Sequence, residues 1–425
     1  MYISVQKEDL FMSKAMTRSE KSWILYDVAN SAFILFATAV IPVYFAALAP
    51  DKNVVVSWGY AETISSLVVA LLMPVLGYLA DYQGNKLKFF MGFLLTGVVA
   101  CLVLSLPLHW LAFLVVYVIT SIGLNSSITF YDAMIVDVTE DEHMDRISSH
   151  GYAWGYIGSC VPFIVCIALI FMGPKLLGID TMFATRMCFI IVAAWWLLFS
   201  IPLIKNYRQV HFKEKNPGEL ISTFSALLGT VKKIVHNRPM FIYMLAYFFY
   251  IDGVHAVIKM ATSYGAQLGI SSNSLILALL VTQFVAFPAA ILYARLSHKI
   301  GTLRAIMIAV LAYLFIVLFA AFFLQSAREF WFLAILVGLF QGGIQALSRS
   351  YFGKLVPKKN SNEFYGFFQI LGKYSAVIGT FLVASITQLT GNTSLGILSI
   401  AMLFIVGFAL LLLLPKYNTK PQETI

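Results

Sequence analysis

Several ionisable side chains interrupt stretches of this sequence that are otherwise apolar for about twenty residues. In a lipid bilayer such a group would cost roughly 2.5–3.5 kcal/mol on insertion scales, so each needs a partner, water or a function. Acids, imidazoles and amines in this setting can carry protons or bind the charged groups of a solute. The candidate functional residues are Asp27, Asp132, Asp252, His255, Lys259, Arg349 and Lys373.

Three of these residues lie close together in one apolar stretch. Asp252, His255 and Lys259 are spaced at i, i+3 and i+7, which places their side chains on one face of a helix. An acid, an imidazole and an amine in this arrangement can relay a proton or bind a zwitterion. We therefore predict proton coupling through Asp252, Asp27 and His255, and solute binding by Lys259 together with Lys373.

Neutral polar side chains in the apolar stretches extend the predicted solute-binding set. Each can also serve as a hydrogen bond between helices without any role in binding, so both interpretations stay open. These residues are Asn30, Asn125, Gln283, Gln341 and Gln345.

The composition indicates the environment in which these residues act. Hydrophobic residues make up 60% of the 425 residues and charged residues only 12%, whereas about a quarter of the residues in soluble domains are charged. Twelve apolar stretches are long enough to cross a hydrocarbon core of about 30 Å. They centre near residues 35, 70, 97, 123, 160, 194, 250, 284, 314, 340, 375 and 404. We predict an all-α integral membrane protein with twelve transmembrane helices.

Lysine and arginine are distributed unevenly between the loops. If the N-terminus is cytoplasmic, nearly all of these residues fall in loops on the cytoplasmic side, as the positive-inside rule requires. We therefore predict that both termini are cytoplasmic and that the protein lies in a cell membrane, a bacterial inner membrane being favoured. The net charge of +9 then follows from topology and requires no nucleic-acid partner.

A long polar segment divides the chain into two sets of six spans. It carries several lysines between the sixth and seventh apolar stretches, and we predict that it is a linker. The predicted organisation is a cytoplasmic tail at 1–21, a six-helix bundle at 22–205, a cytoplasmic linker at 206–238, a second six-helix bundle at 239–415 and a cytoplasmic tail at 416–425.

Two short turns occupy matching places in these two sets. The turn GYLADYQG at residues 77–84 follows the second stretch, and ARLSHKIG at 294–301 follows the eighth, 217 residues later. The chain therefore looks like a duplicated six-helix unit, which is common in transporters. The same offset carries Asp132 onto Arg349. We predict that this acid and base meet across the two halves as an inner gate, the alternative being a lock between helices that handles no solute.

The first turn is similar to the G-x-L-a-D-x-x-G-[RK] loop of the major facilitator superfamily, with Gly77, Asp81, Gly84 and Lys86 as its motif residues. Four further segments look like one branch of that superfamily, the vacuole-effluxer-like family, whose eukaryotic members are linked to amino-acid release from vacuoles. They are YDVANSAF at 26–33, FYDA at 130–133, GGIQALSRSYF at 342–352 and EFYGFF at 363–368. The resemblance implies two pseudo-symmetric six-helix bundles around a central cavity. The sequence departs from it at Asp132, where Asn is expected, and at His298, where an acid is expected.

We predict a secondary active transporter that moves a small polar or zwitterionic solute by alternating access and is coupled to protons, amino acids being one candidate. The sequence contains no phosphate-binding G-x-x-x-x-G-K-[ST] loop and no H-E-x-x-H or G-x-S-x-G motif, so neither a primary pump nor an enzyme is predicted. A lipid or amphipathic-drug exporter and a non-transporting membrane receptor remain alternatives. The expected partners are the solute, protons and membrane lipids, with the chain acting as a monomer and requiring no cofactor or metal.

Overall fold

The computed structural model describes residues 15–49, 54–214, 223–267, 270 and 272–414. Within these ranges the side chains at 54–56, 223–228, 262–263, 266–267, 272–273, 276 and 373–377 are not described. Most of the predicted tails at 1–21 and 416–425, and part of the predicted linker, therefore lie outside the described residues.

The described chain runs through fifteen α-helices, α1 to α15. In order they are α1 Arg18–Ala39, α2 Ile41–Leu48, α3 Val54–Ala80, α4 Asn85–Val103, α5 Trp110–Ala133, α6 Ile135–Val138, α7 Asp141–Leu176, α8 Thr181–Asn206, α9 Thr223–His236, α10 Arg238–Gln267, α11 Ser272–Ile300, α12 Thr302–Phe323, α13 Ala327–Leu355, α14 Ser361–Thr390 and α15 Thr393–Leu413.

These helices confirm the predicted all-α membrane fold. Eleven helical segments of the described chain are long and apolar enough to cross a membrane. The remaining predicted span, near residue 375, coincides with the 30-residue helix α14, in which Ile378–Thr390 form a further apolar stretch. Helices suit this setting because they satisfy the hydrogen bonds of their own backbone, which lipid cannot do.

The first helix begins before the predicted boundary at residue 22. Thr17 and Glu20 form a capping box: the Glu20 side chain accepts a hydrogen bond from the Thr17 amide at 2.7 Å, and the Thr17 hydroxyl accepts one from the Glu20 amide at 3.1 Å. Together these two bonds satisfy backbone donors that a helix start leaves free. The end of the predicted tail is therefore the first turn of α1.

Helices from the two parts of the chain pack against each other around a central space. We refer to α1–α8 as the first half and α10–α15 as the second half. Helix α7 packs along α11 and α13, and α3 packs along α14. We call the end of the bundle that carries the turn at residues 81–84 the inner end, because the distribution of lysine and arginine predicts that it faces the cytoplasm.

The predicted linker is partly structured. Residues 207–213 fold back along the turn at 81–84, and Lys213 pairs with Tyr82 in an isolated parallel bridge. Helix α9 packs against α3 and α10, with Thr230 and Ile234 buried. The segment at 215–222 lies outside the described residues.

Candidate functional site

A cavity of about 600 Å³ lies between the two halves. It reaches from Asp27 and Arg349 near the inner end to Leu324 and Phe330 at the opposite end of the bundle. Among the predicted solute-binding residues it is lined by Asn30, Asn125, Lys259, Gln283, Gln341 and Gln345.

Arg349 bridges two acids of the first half at the inner end of this cavity. Its Nη2 lies 3.0 Å from Asp27 Oδ2, and its Nη1 lies 3.0 Å from Asp132 Oδ1. All three residues are buried. The repeat offset of 217 predicted the contact between Asp132 and Arg349, but nothing in that offset pointed to Asp27 as a second partner. The three side chains form a cluster that joins α1 and α5 of the first half to α13 of the second half.

Neutral neighbours complete the surroundings of Arg349. The Ser148 hydroxyl accepts a hydrogen bond from Arg349 Nε at 2.9 Å, and the Ser148 carbonyl accepts one from Nη2 at 3.1 Å. The guanidinium also lies 4.5 Å from the centre of the Trp23 ring and 4.4 Å from that of Tyr152, within the range of cation–π attraction. Ser148, Trp23 and Tyr152 are of types that are common in buried helices and carry no charge, so nothing in the sequence singled them out.

Asp132 has a further partner in the second half. Gln369 Nε2 donates a hydrogen bond to Asp132 Oδ2 at 2.8 Å, so both carboxylate oxygens of Asp132 bind groups of the second half. With one guanidinium and two carboxyl groups, the cluster is anionic when both acids are ionised. Buried charges of this kind are stable only when every member keeps its partners.

Asp252 does not share the cavity with the other charged residues. It is fully buried, and its Oδ1 accepts a hydrogen bond from the Gly379 amide of α14 at 2.9 Å. In the described part of the chain no donor contacts its Oδ2. His255 and Lys259, farther along the same helix, do line the cavity. The sequence predicted that all three share one face of a helix, whereas in the structure α14 covers that face of α10 at the depth of Asp252.

The other predicted residues occupy different settings. Asn30 and Asn125 donate hydrogen bonds to carbonyls of their own helices, Tyr26 at 2.9 Å and Ser121 at 2.8 Å. Lys373 lies in α14, and its side chain is outside the described part of the structure.

The turn at the inner end binds the start of α14 across the two halves. Asp81 Oδ1 accepts hydrogen bonds from the Asn362 amide at 2.9 Å and side chain at 2.8 Å, and Asp81 Oδ2 accepts one from the Glu363 amide at 3.1 Å. A carboxyl group is well placed there because the first amides of a helix are free donors. Gly77 permits the close approach, since a Cβ at this position would lie 2.6 Å from the Asn362 carbonyl oxygen. Gly84 turns the chain with φ +75°.

Lys86 also joins the turn of the first half to the start of α14. Its fully buried ammonium group lies 2.6 Å from Asp137 Oδ2 and donates a hydrogen bond to the Ser361 hydroxyl at 3.0 Å. The segment at residues 207–213, after α8, contributes a further ion pair to this contact: Lys213 Nζ lies 3.2 Å from Glu363 Oε2. Lys86 belongs to the loop motif that the sequence revealed, but that motif indicated none of these partners.

A second contact between the halves lies at the pseudo-symmetric position. Asp145 of α7, 217 residues before Asn362, lies 2.6 Å from Lys354 Nζ and accepts a hydrogen bond from the Ser350 hydroxyl at 2.6 Å. It also accepts one from the Thr302 hydroxyl, just beyond the second turn. Position 298, where the family resemblance leads us to expect an acid, is a histidine. The carboxyl group of this second contact comes instead from Asp145 of α7, the helix that faces the second turn.

Proton binding at Asp81 is expected to make the inner contact sensitive to pH. Burial raises the pKa of Asp81 from its ordinary value of 3.8 to about 7, although Lys86, Lys213 and the hydrogen bonds from Asn362 lower it. In an open state the carboxyl group would enter water and regain its ordinary pKa. The closed state then binds the proton more tightly, so raising the pH from about 4 to about 7 should favour opening.

This expectation can be checked by measuring distances between spin labels at Lys88→Cys and Lys359→Cys, two exposed positions at the inner end. The native cysteines are buried and should not react. The wild-type distance should lengthen over this pH window, whereas Asp81→Asn, which cannot ionise, should show no such change. Equal responses in the two proteins would rule out Asp81 as the titrating group.

Comparisons with known proteins agree with this architecture. Residues 51–424 match the model of the vacuole effluxer Atg22-like family. An uncharacterized MFS-type transporter of Bacillus subtilis, YxiO, is 42% identical over 95% of this chain and 96% of its own length. Autophagy-related protein 22-2 of Aspergillus clavatus is 26% identical over 58% of this chain, a match that covers 44% of that longer protein.

Solved structures share the fold at low sequence identity. The human organic anion transporter MFSD10 superposes with a TM-score of 0.69 at 16% identity, over 93% of this chain and 99% of that chain. The transporter FucP in its outward conformation superposes with a TM-score of 0.68 at 15% identity, over 92% and 96%. The fold and the turn at residues 81–84 are consistent with these matches, which extend over most of the chain. The chain therefore belongs to the vacuole effluxer Atg22-like family of MFS-type transporters, which are not enzymes.

Proposed function

We propose that this protein is a secondary active transporter that moves a small polar or zwitterionic solute by alternating access, coupled to protons. The observation that carries the proposal is the Arg349 cluster, which joins the two halves at the inner end of a cavity lined by both acids and bases. An ionic contact between halves at one end of a central cavity can open and close as the halves rock.

The charges along the cavity favour a polar solute over an amphipathic drug or lipid. Asp27, Glu62 and Lys259 all line it, together with several amide side chains. An apolar solute would remove water from these groups without replacing its hydrogen bonds, which costs binding energy. Amino acids are the candidate we favour, because they carry both charges that the acids and bases of this cavity can bind.

Asp252 is the residue we favour for proton coupling. A buried carboxyl group that has only the Gly379 amide as a described donor is costly to ionise and gains from holding a proton. Asp27 is the alternative carrier, because it lines the cavity and is bound to Arg349. We also assign the Asp132–Arg349 pair to an inner gate and the turn at residues 81–84 to the conformational change.

The test is a screen of the purified protein for thermal stabilisation and, after reconstitution, for uptake. Amino acids, dipeptides, nucleosides and amphipathic drugs are the probes. A ligand at one hundred times its Kd stabilises the folded state by about 2.7 kcal/mol, which should raise the melting temperature measurably.

We expect amino acids to stabilise the protein and to accumulate in vesicles when a proton gradient is applied. Stabilisation by amphipathic drugs alone would instead support the exporter alternative. Stabilisation without any uptake would support a non-transporting receptor.

A further inference from the structure

The acidic and basic residues that line the described cavity are divided between the two halves by type. Those of the first half are acids and those of the second half are bases. The acids are Asp27, Glu62 and Asp132, and the bases are His255, Lys259 and Arg349. A solute inside this cavity therefore faces an anionic wall on one side and a cationic wall on the other.

Arg349, Asp27 and Asp132 are joined by salt bridges, whereas Glu62 and Lys259 take part in none within the described residues. Arg349 is bound to both Asp27 and Asp132 at 3.0 Å. Within the part of the chain that the structure describes, neither Glu62 nor Lys259 forms a salt bridge. Their charges are thus available to a solute, whereas those of the inner cluster already have partners.

Glu62 is held in position by one of its two carboxylate oxygens. Its Oε1 accepts a hydrogen bond from the hydroxyl of Tyr117 on α5, and the residue is only partly buried. Tyr117 in turn packs on Trp58, with 4.4 Å between the ring centres. A carboxylate fixed through one oxygen leaves the other free to accept a hydrogen bond from a cationic ligand. Glu62 is not among the candidate residues predicted from the sequence.

Glu62 and Lys259 lie at similar depth in opposite halves. At 1.5 Å per residue, Glu62 is about 27 Å from the inner end of α3 and Lys259 about 32 Å from that of α10, whereas Arg349 is only about 9 Å from that of α13. The two residues therefore belong to an outer tier of the cavity, well separated from the Arg349 cluster.

We infer that Glu62 and Lys259 form an outer binding tier for a solute that carries a cationic group and an anionic group: the ammonium group binds Glu62 and the carboxylate binds Lys259. This inference rests on the proposed function and adds to it the orientation of the solute. A solute with both charges bridges the two halves, whereas one with a single charge leaves the opposite wall unmatched. Because it contacts both walls, such a solute favours the state in which they come together.

The test uses three matched probe mixtures with the full-length protein: the amino acids whose side chains carry no charge, their methyl esters and their N-acetyl derivatives. The esters keep only the cationic group and the N-acetyl compounds keep only the anionic group. We expect the free amino acids to stabilise the wild-type protein at concentrations at least tenfold below either derivative, because they alone satisfy both residues.

Two variants test the orientation. Glu62→Gln should raise the concentration of free amino acids needed for half-maximal stabilisation at least tenfold, and should leave the response to N-acetyl derivatives unchanged. Lys259→Gln should do the same for free amino acids and leave the response to methyl esters unchanged. Glutamine can still accept the hydrogen bond from Tyr117, and Glu62→Asp, which keeps the charge, should retain most of the response and so controls for misfolding.

The outcomes separate this inference from the proposed function. If wild-type protein binds and transports free amino acids but both variants respond like wild type, the outer tier is refuted and the proposed function stands. If Glu62→Gln alters the response to the N-acetyl derivatives and Lys259→Gln alters the response to the methyl esters, the solute binds in the reverse orientation and the inference is refuted. If wild-type protein responds to no mixture, the proposed solute class fails and the inference fails with it.

Discussion

Replacing Arg349 with methionine is expected to abolish transport. It should also change the equilibrium between the state in which the inner end is closed (inner-closed) and the state in which it is open (inner-open) by at least a hundredfold toward the inner-open state. The change leaves Asp27 and Asp132 buried beside each other without the cation that joins them. Removing one partner of a buried ion pair costs about 3–5 kcal/mol. Each 1.4 kcal/mol is a tenfold change in an equilibrium. Opening the inner end relieves the cost by admitting water to the carboxylates.

Replacing either Asp27 or Asp132 should shift the equilibrium between the two states less than replacing Arg349 does. Asp132→Asn leaves Arg349 bound to Asp27, and the new amide can still accept a hydrogen bond from Gln369. Asp27→Asn leaves the contact between Arg349 and Asp132. We expect each of these variants to favour the inner-open state by a smaller factor, measured by the distance between labels at Lys88→Cys and Lys359→Cys.

Charge exchange tests whether the pair acts as a gate. Combining Asp132→Arg with Arg349→Asp should restore part of the transport that each single reversal removes. The structure adds a condition, because the new carboxylate at position 349 would face Asp27. Recovery should therefore be larger when Asp27→Asn is also present. A double-mutant cycle that is additive in both backgrounds would remove the gate from the mechanism and leave Arg349 as a candidate ligand for a solute carboxylate.

The second large effect is expected at Asp252. Asp252→Asn should abolish accumulation of solute driven by a proton gradient, while exchange of solute across the membrane persists. Asparagine can accept the same hydrogen bond from the Gly379 amide, so the packing of α10 on α14 is kept, but it cannot take up and release a proton. The measurement compares gradient-driven uptake with counterflow in the same proteoliposomes.

Asp27→Asn is the matched comparison, because it removes the other candidate proton carrier while Arg349 keeps its bond to Asp132. If Asp252→Asn still concentrates solute, and Asp27→Asn does not but keeps counterflow, the coupling site is Asp27. If both variants concentrate solute under a proton gradient, neither carboxyl group carries the coupling proton.

The sequence by itself determined the fold class and one contact across the halves. Apolar stretches of about twenty residues can only be spanning helices, because a bilayer offers no partners to an open backbone. The turn at residues 77–84 and its counterpart 217 residues later revealed the duplication, and the same offset predicted that Asp132 and Arg349 meet. A repeat offset relates equivalent positions in the two halves, so it can indicate a contact across a pseudo-twofold axis.

Tertiary structure alone decided which charges share the cavity and which of them are paired. Helical spacing placed Asp252 on the same face as Lys259, but spacing does not show which neighbour covers each level of that face. Gly379 brings the α14 backbone against Asp252, whereas the cavity stays open at Lys259. In the same way, the packing of separate helices brought Asp27 into the Arg349 cluster and placed Glu62 and Lys259 in the lining of one cavity. Burial and pairing depend on distances between segments far apart in the chain, and a pattern read along one helix contains no such distances.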